Sequence, residues 1–264
     1  MKEIVARGKE SFGSTAFRIH LAVTLFIAFA LAFLIFGLWF EQPYLGILNG
    51  GKLFALLLVV DFFCGPFLTL ITHNKKKSSA ERAMDLAVIG CIQVAALSYG
   101  VYSAALAKPV ALVLEVDRFH LVTYSDIDPG EIAMTPPWAR PPSFAEVKIL
   151  SIRSPKSNEE RATLLELALQ GVEPAQKPSW WQSYEAGRPQ AIRGAGSVEE
   201  LLKNNPQKKE AITTESLKSA NNPQAGETSI AQDLRWLPIL SRKNTNWVAF
   251  IDPSTARIRG FVEL

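Results

Sequence analysis

The sequence predicts a membrane-anchored protein in two parts, three transmembrane helices followed by a mixed α/β (α+β) domain. Three observations carry that prediction. Apolar runs at about 21–40, 53–72 and 86–107 each have the roughly 20 residues that cross a hydrocarbon core. Charge divides the 264-residue chain at the same boundary: residues 1–107 hold 9 Lys+Arg against 6 Asp+Glu, and residues 108–264 hold 19 of each. Beyond residue 108 the pattern changes to short β-rich runs, turn residues and capped helices.

In chain order, residues 1–18 form a basic tail, which the distribution of Lys and Arg places in the cytoplasm, and residues 19–107 form the three-helix part. The first run has Thr24 as its one polar residue and passes into Trp39-Phe40-Glu41-Gln42-Pro43 without the small-residue pair of a cleavage site, so it is expected to remain as an anchor. Lys2, Arg7, Lys9 and Arg18 precede it, and Lys75, Lys76, Lys77 and Arg82 precede the third run, whereas Lys52 alone lies in the first connection. Basic loops stay inside. That predicts a multi-pass protein of a bacterial inner membrane with residues 108–264 in the periplasm. The lysine run can also touch anionic membrane lipid, although a topology signal suffices to explain it. The sequence pI near 8.8 thus reflects orientation, and no basic face for nucleic acid is evident.

The middle run contains Asp61, about 12 Å of helical rise from Leu53 and so near mid-bilayer, followed by Cys64, Gly65 and Pro66. A carboxylate there needs a proton or a partner. Pro66 leaves a helical carbonyl without its donor, and a kinked small-residue site admits close packing of another helix. Three readings stay open: a hydrogen bond from protonated Asp61 to Gln93, Ser98 or Tyr99; docking of a client helix; and a proton or ion relay. Cys64 and Cys91 are the chain's two cysteines, and they read as small packing residues. The exported part has none, so it is expected to fold without disulfides.

Within residues 108–264, Pro109 to Val116 and Phe119 to Tyr124 read as two strands separated by Asp117-Arg118. Asp126-Ile127-Asp128-Pro129-Gly130 is a turn. Ser157-Asn158-Glu159-Glu160 opens a helix that runs through Leu169 and ends at Gly171, and Ser197-Val198-Glu199-Glu200 opens a shorter one that stops before Pro206. Residues 204–229 are polar with few large apolar groups and read as a flexible surface excursion. Leu234 to Leu240, Trp247 to Ile251 and Ile258 to Val262 are the closing strands.

No catalytic motif is present: there is no G-x-S-x-G, P-loop or H-E-x-x-H, and no cofactor is expected. His120 reads as a structural strand residue, with a catalytic or metal role as the alternative. Asp126, Asp128 and Glu131 lack the EF-hand spacing and read as a solvated turn. Trp180, Trp181 and Tyr184 form either a partner surface or the cover of a small core.

The span entered through Phe17-Arg18-Ile19-His20-Leu21, the segment Leu58 to Leu70 around Asp61, Gly65 and Pro66, the third span from Asp85-Leu86-Ala87-Val88-Ile89, and Glu115-Val116-Asp117-Arg118-Phe119 together resemble the type IV pilin accessory protein family of the TfpX/TfpZ type. The resemblance covers about residues 15–128 and resumes weakly at Trp236-Leu237-Pro238 and the last strands. It implies an inner-membrane accessory protein that acts without catalysis, by binding a cognate type IV pilin and assisting its assembly or surface display. It also implies a membrane-to-domain junction at Asp117, Arg118 and Phe119. A membrane-anchored periplasmic sensor or an envelope enzyme is the alternative. The chain does not read as a pilin itself, because no Gly is followed at the fifth mature position by Glu ahead of one apolar helix.

Overall fold

The computed structural model describes residues 18–19, 21–40, 42–51, 55, 78–135, 137–140, 146–242 and 244–264. Two units divide the chain, Met1–Glu41 with Gly50–Leu106, and Gln42–Asn49 with Ala107–Leu264. Before residue 108 the described helices include α1 (Leu21–Trp39), the single-turn α2 (Tyr44–Ile47) and α3 (Ser79–Ala107).

In the first unit, α1 ends in a π-helical turn over Ile35–Trp39, closed by the Phe40 N–H on the Ile35 carbonyl at 2.9 Å. At the other helix, Ser78 and Glu81 form a capping box: the Ser78 hydroxyl accepts from the Glu81 N–H at 3.2 Å, and the Glu81 carboxylate accepts from the Ser78 N–H at 2.7 Å. With 29 residues, α3 is about 43 Å long. Buried residues make up only 11% and 12% of the most apolar stretches of α1 and α3, which separates both from the core helices of a soluble domain.

The three-helix membrane part is corrected on this point. Among the described residues two helices are long and apolar enough to cross a membrane, Leu21–Trp39 and Ala83–Ala107. The run at 53–72, with Asp61, Cys64, Gly65 and Pro66, lies outside the described residues except for Ala55. Hydropathy counts any apolar run of sufficient length, whereas a span needs a continuous helix to carry it. Such a helix is described for the first and third runs.

The second unit is built on a mixed sheet whose strands are β1 (Pro109–Glu115), β2 (Arg118–Thr123), β3 (Lys148–Ile152), β4 (Trp181–Ser183), β5 (Gly196–Ser197), β6 (Arg235–Leu240), β7 (Trp247–Ile251) and β8 (Ile258–Glu263). Their order is β4-β3-β1-β2-β6-β7-β8, with β5 also paired to β6. The pairs β1–β3 and β2–β6 are parallel and the others antiparallel. Helices α4 (Pro129–Met134), α5 (Asn158–Leu169), α6 (Tyr184–Gly194), α7 (Val198–Asn204) and α8 (Lys209–Ala220) lie between strands in sequence. The strands expected at both ends of this region and the two capped helices are present, with the Ser157 and Ser197 hydroxyls accepting from the Glu160 and Glu200 N–H groups.

Strand alternation sorts the core into two faces. On one, Leu112, Leu114, Phe119, Leu121, Leu237, Ile239, Ala249 and Ile251 form a single cluster with Tyr184 and Ala191 of α6. Gly187 allows that approach, because a Cβ there would lie 2.5 Å from the Ser151 Cβ. Tyr44 and Ile47 of α2 join the same cluster. The Tyr44 ring meets Phe261 edge-on at 6.1 Å, so a segment read from sequence as a plain connection is part of the domain's core. The opposite face carries two clusters, Ala111, Val113, Val122 and Leu150 with Ala175 and Trp181, and Val248, Phe250 and Val262 with Leu201 and Ile212 from α7 and α8.

Residues 204–229 differ from the expected excursion, since α8 occupies Lys209–Ala220. The helix buries Ile212, Ser216, Ser219 and Ala220, one face at helical spacing. Three of those four residues are small, and Ser219 packs beside Gly260 of β8, where a Cβ would collide with it. Close packing through small residues leaves no hydrophobic signal in the sequence.

Candidate functional site

The β1–β2 hairpin turns through Val116, whose φ of 56° is a left-handed conformation that a β-branched residue rarely adopts. Glu115 then pairs with Arg118, and Val113 with His120. Two-residue alternation puts Glu115 and His120 on the same face as diagonal neighbours, at the end of the Ala111–Val113–Val122 layer. The Glu115 Oε2 lies 3.7 Å from the His120 Nε2, and each side chain is 13% exposed. Across them runs the segment that enters the 3₁₀ turn Pro174–Gln176. Its Ala175 N–H donates to Glu115 Oε2 at 3.1 Å. Its Glu173 completes a group of three in which one ligand atom from each residue lies within 4.8 Å of the others.

The electrostatics follow from that crowding. Burial pushes the Glu115 carboxyl up to about 7, and the neighbouring Glu173 charge adds to the shift while the Ala175 N–H and Arg118 oppose it. Burial also holds the His120 imidazole below its usual range, against the pull of Glu173. His120 is therefore neutral at pH 7, the form that can ligate a cation. Arg118 is engaged beside the site, donating to Asp117 at 2.8 Å.

The residues singled out by sequence do not form one constellation. Asp61, Gly65 and Pro66 lie outside the described residues. Gln93 is half-buried and Tyr99 73% exposed, and six residues of helix separate them by about 120° of rotation, so they face different directions. Asp117 lies in the turn that follows β1 and Arg118 opens β2, with the whole of β1 between them and the end of α3, and Phe119 is fully buried against Tyr184 with ring centroids 5.9 Å apart.

Trp180, Trp181 and Tyr184 are corrected as a partner surface, since they are 8%, 4% and 6% exposed. Their polar atoms are turned inward: the Trp181 Nε1 donates to the Ala175 carbonyl at 2.8 Å, and the Tyr184 hydroxyl to the Ala256 carbonyl at 2.7 Å. Trp180 lies under the Arg153 guanidinium at 4.2 Å. Amphipathic aromatics serve a core as readily as an interface once a carbonyl is within reach. The carboxylates at 126–131 are used as caps and pairs. Asp126 accepts from the Thr123 N–H, Asp128 from the Gly130 N–H, and Glu131 pairs with Lys177 at 3.0 Å. Glu173 was not legible as a site residue, because nothing within ten residues of it in sequence points to Glu115.

The two apolar helices and the mixed-sheet domain fit the class of membrane-anchored α/β proteins. Residues 13–48, which include α1 and α2, match the family model described as fimbrial assembly protein FimB. The fimbrial assembly proteins of serogroups I and E1 from Dichelobacter nodosus are each 32% identical to this chain over 235 residues, covering 89% of it and 88% of the relative. That of serogroups C1 and C2 from the same organism is 41% identical over 109 residues, or 41% of this chain and 83% of the relative. This chain belongs to the fimbrial assembly protein family, a pilus assembly accessory family. No solved structure matches it.

Proposed function

We propose that the protein is a non-catalytic accessory factor that binds a type IV pilin in the inner membrane and assists its assembly or surface display. The observation that carries this reading is the likeness along 89% of the chain to proteins named for fimbrial assembly. The exposed apolar surface of α3, with Val88, Val94, Tyr99 and Tyr102 each more than half exposed, supports it physically. Such a surface is stable in lipid, where a second apolar helix packs by shape and small polar contacts. Lys75, Lys76, Lys77 and Arg82 precede Ala83–Ala107, which favours a cytoplasmic start for that helix and a periplasmic domain after it.

The test is retention of pilin by the tagged chain from detergent-solubilised membranes of cells that lack the rest of the pilus machinery. Pilin recovered at no more than the mock level would refute binding. Titrating expression separates a binder from an enzyme. Piliation should track the ratio of this chain to pilin, and full piliation at trace levels would instead mark catalytic turnover. A phosphatase fused after residue 130 should be active if the domain is periplasmic.

A further inference from the structure

The three residues at the end of the β1–β2 hairpin have no part in that reading, and their donor chemistry stands independently of it. Two carboxylates and an imidazole come from three places in the chain: Glu115 on β1, His120 on β2 and Glu173 before the 3₁₀ turn. Their ligand atoms all lie within 4.8 Å of one another, and the first two are mostly buried. Among the described residues, Ala175 N–H is the one hydrogen-bond donor to Glu115, and the imidazole makes no hydrogen bond. Two carboxylates drawn together with an uncommitted imidazole form an arrangement that a divalent cation would resolve. It would offset the repulsion between the acids and give the imidazole a partner.

We propose that Glu115, His120 and Glu173 bind one divalent first-row transition cation, of which zinc best suits a mixed imidazole and carboxylate set. Donors bound at about 2.0–2.2 Å lie roughly 3–3.5 Å apart around such an ion, so Glu115 and His120, at 3.7 Å, are nearly in place. Glu173 is exposed and free to swing by the remaining distance through a rotamer change. Water would complete the coordination on the open side. The selectivity rests on the donors: imidazole favours zinc, nickel, copper and iron over magnesium or calcium, which take oxygen donors. Bound there, the ion would tie the segment between α5 and Pro174 to the sheet. That segment follows Leu169, which is 82% exposed, so the α5 side of the domain would gain a fixed point.

The experiment uses the full chain in detergent micelles, stripped with a chelator and titrated with zinc chloride by calorimetry, then with cobalt chloride by visible absorption. Expected are one equivalent of zinc per chain, a raised melting temperature with zinc, and cobalt bands distinct from those of the aqueous ion. Glu173→Gln, at an exposed position that leaves the fold intact, should weaken zinc at least tenfold and abolish the cobalt spectrum, and His120→Leu should do the same. The other two histidines, His20 and His73, provide the control, and His20→Gln with His73→Gln should leave binding unchanged. Absence of a saturating one-equivalent site overturns the proposal. So does binding that survives Glu173→Gln, or that is lost only in the His20 and His73 variant.

Discussion

Arg259→Met removes one guanidinium from the buried end of the β7–β8 hairpin, and its cost can be worked from the contacts. The Arg259 side chain is 2% exposed and lies 3.3 Å from Glu227 Oε2 and 3.6 Å from Asp252 Oδ2. It also donates to the carbonyls of Thr228 and Ala220, each at 3.2 Å. Glu227 and Asp252 are themselves 1% and 0% exposed. Both acids keep partners after the substitution: Glu227 retains Arg257 and the Gln224 N–H, and Asp252 retains the N–H groups of Thr228, Ser254 and Thr255. Two backbone carbonyls lose a donor in the interior, and the pair of acids then shares one cation. Breaking a buried ion pair costs about 3–5 kcal/mol, and the surviving partners argue for the lower half of that range. With a urea dependence of about 2 kcal/mol/M, the unfolding midpoint should fall by roughly 1.5–2 M. Intrinsic tryptophan fluorescence of the full chain in micelles reads the transition, since Trp180 and Trp181 are buried in the same domain. Arg257, 33% exposed, supplies the comparison: water reaches its guanidinium and Arg259 still faces Glu227, so Arg257→Met, which removes charged hydrogen bonds to that acid, should cost less, about 1.5–2 kcal/mol. A shift below about 0.5 M for Arg259→Met, or equal shifts for the two arginines, would refute the reasoning from burial.

The same network sets a pH response. The Arg257 hydrogen bond holds the Glu227 carboxyl down to about 2 against an ordinary 4.5, so its contribution to stability is complete above pH 4.5 and is lost as pH falls from there toward 2. Thermal melts should show that loss in the wild type and not in Glu227→Gln, and parallel curves would contradict it. Tyr184→Phe removes the buried hydroxyl that donates to Ala256 and leaves that carbonyl without the bond. A loss of about 1–2 kcal/mol is expected in urea titrations, with pilin retention unchanged because the residue faces the core.

Sequence by itself determined whatever is decided within a few residues. β-rich runs at 109–116 and 119–124 became β1 and β2 because β-branched and apolar residues on both faces of a strand need no distant partner to be recognised. The Ser157 and Ser197 capping boxes marked helix starts because the hydroxyl and the N–H it satisfies are three residues apart. Tertiary structure alone decided which surfaces meet. It buried Trp180, Trp181 and Tyr184, whose ring chemistry suits either side of a surface until a particular carbonyl is placed beside it. It drew Tyr44 and Ile47 into the core of a sheet that begins some sixty residues later, and it made a helix of Lys209–Ala220 by supplying Gly260 opposite Ser219. It also brought Glu173 to Glu115 and His120. That meeting depends on β1 pairing with β2 and on the Ala175 N–H reaching Glu115, and long-range pairings of this kind leave no local pattern, because their free energy comes from groups that are neighbours in space and not in sequence.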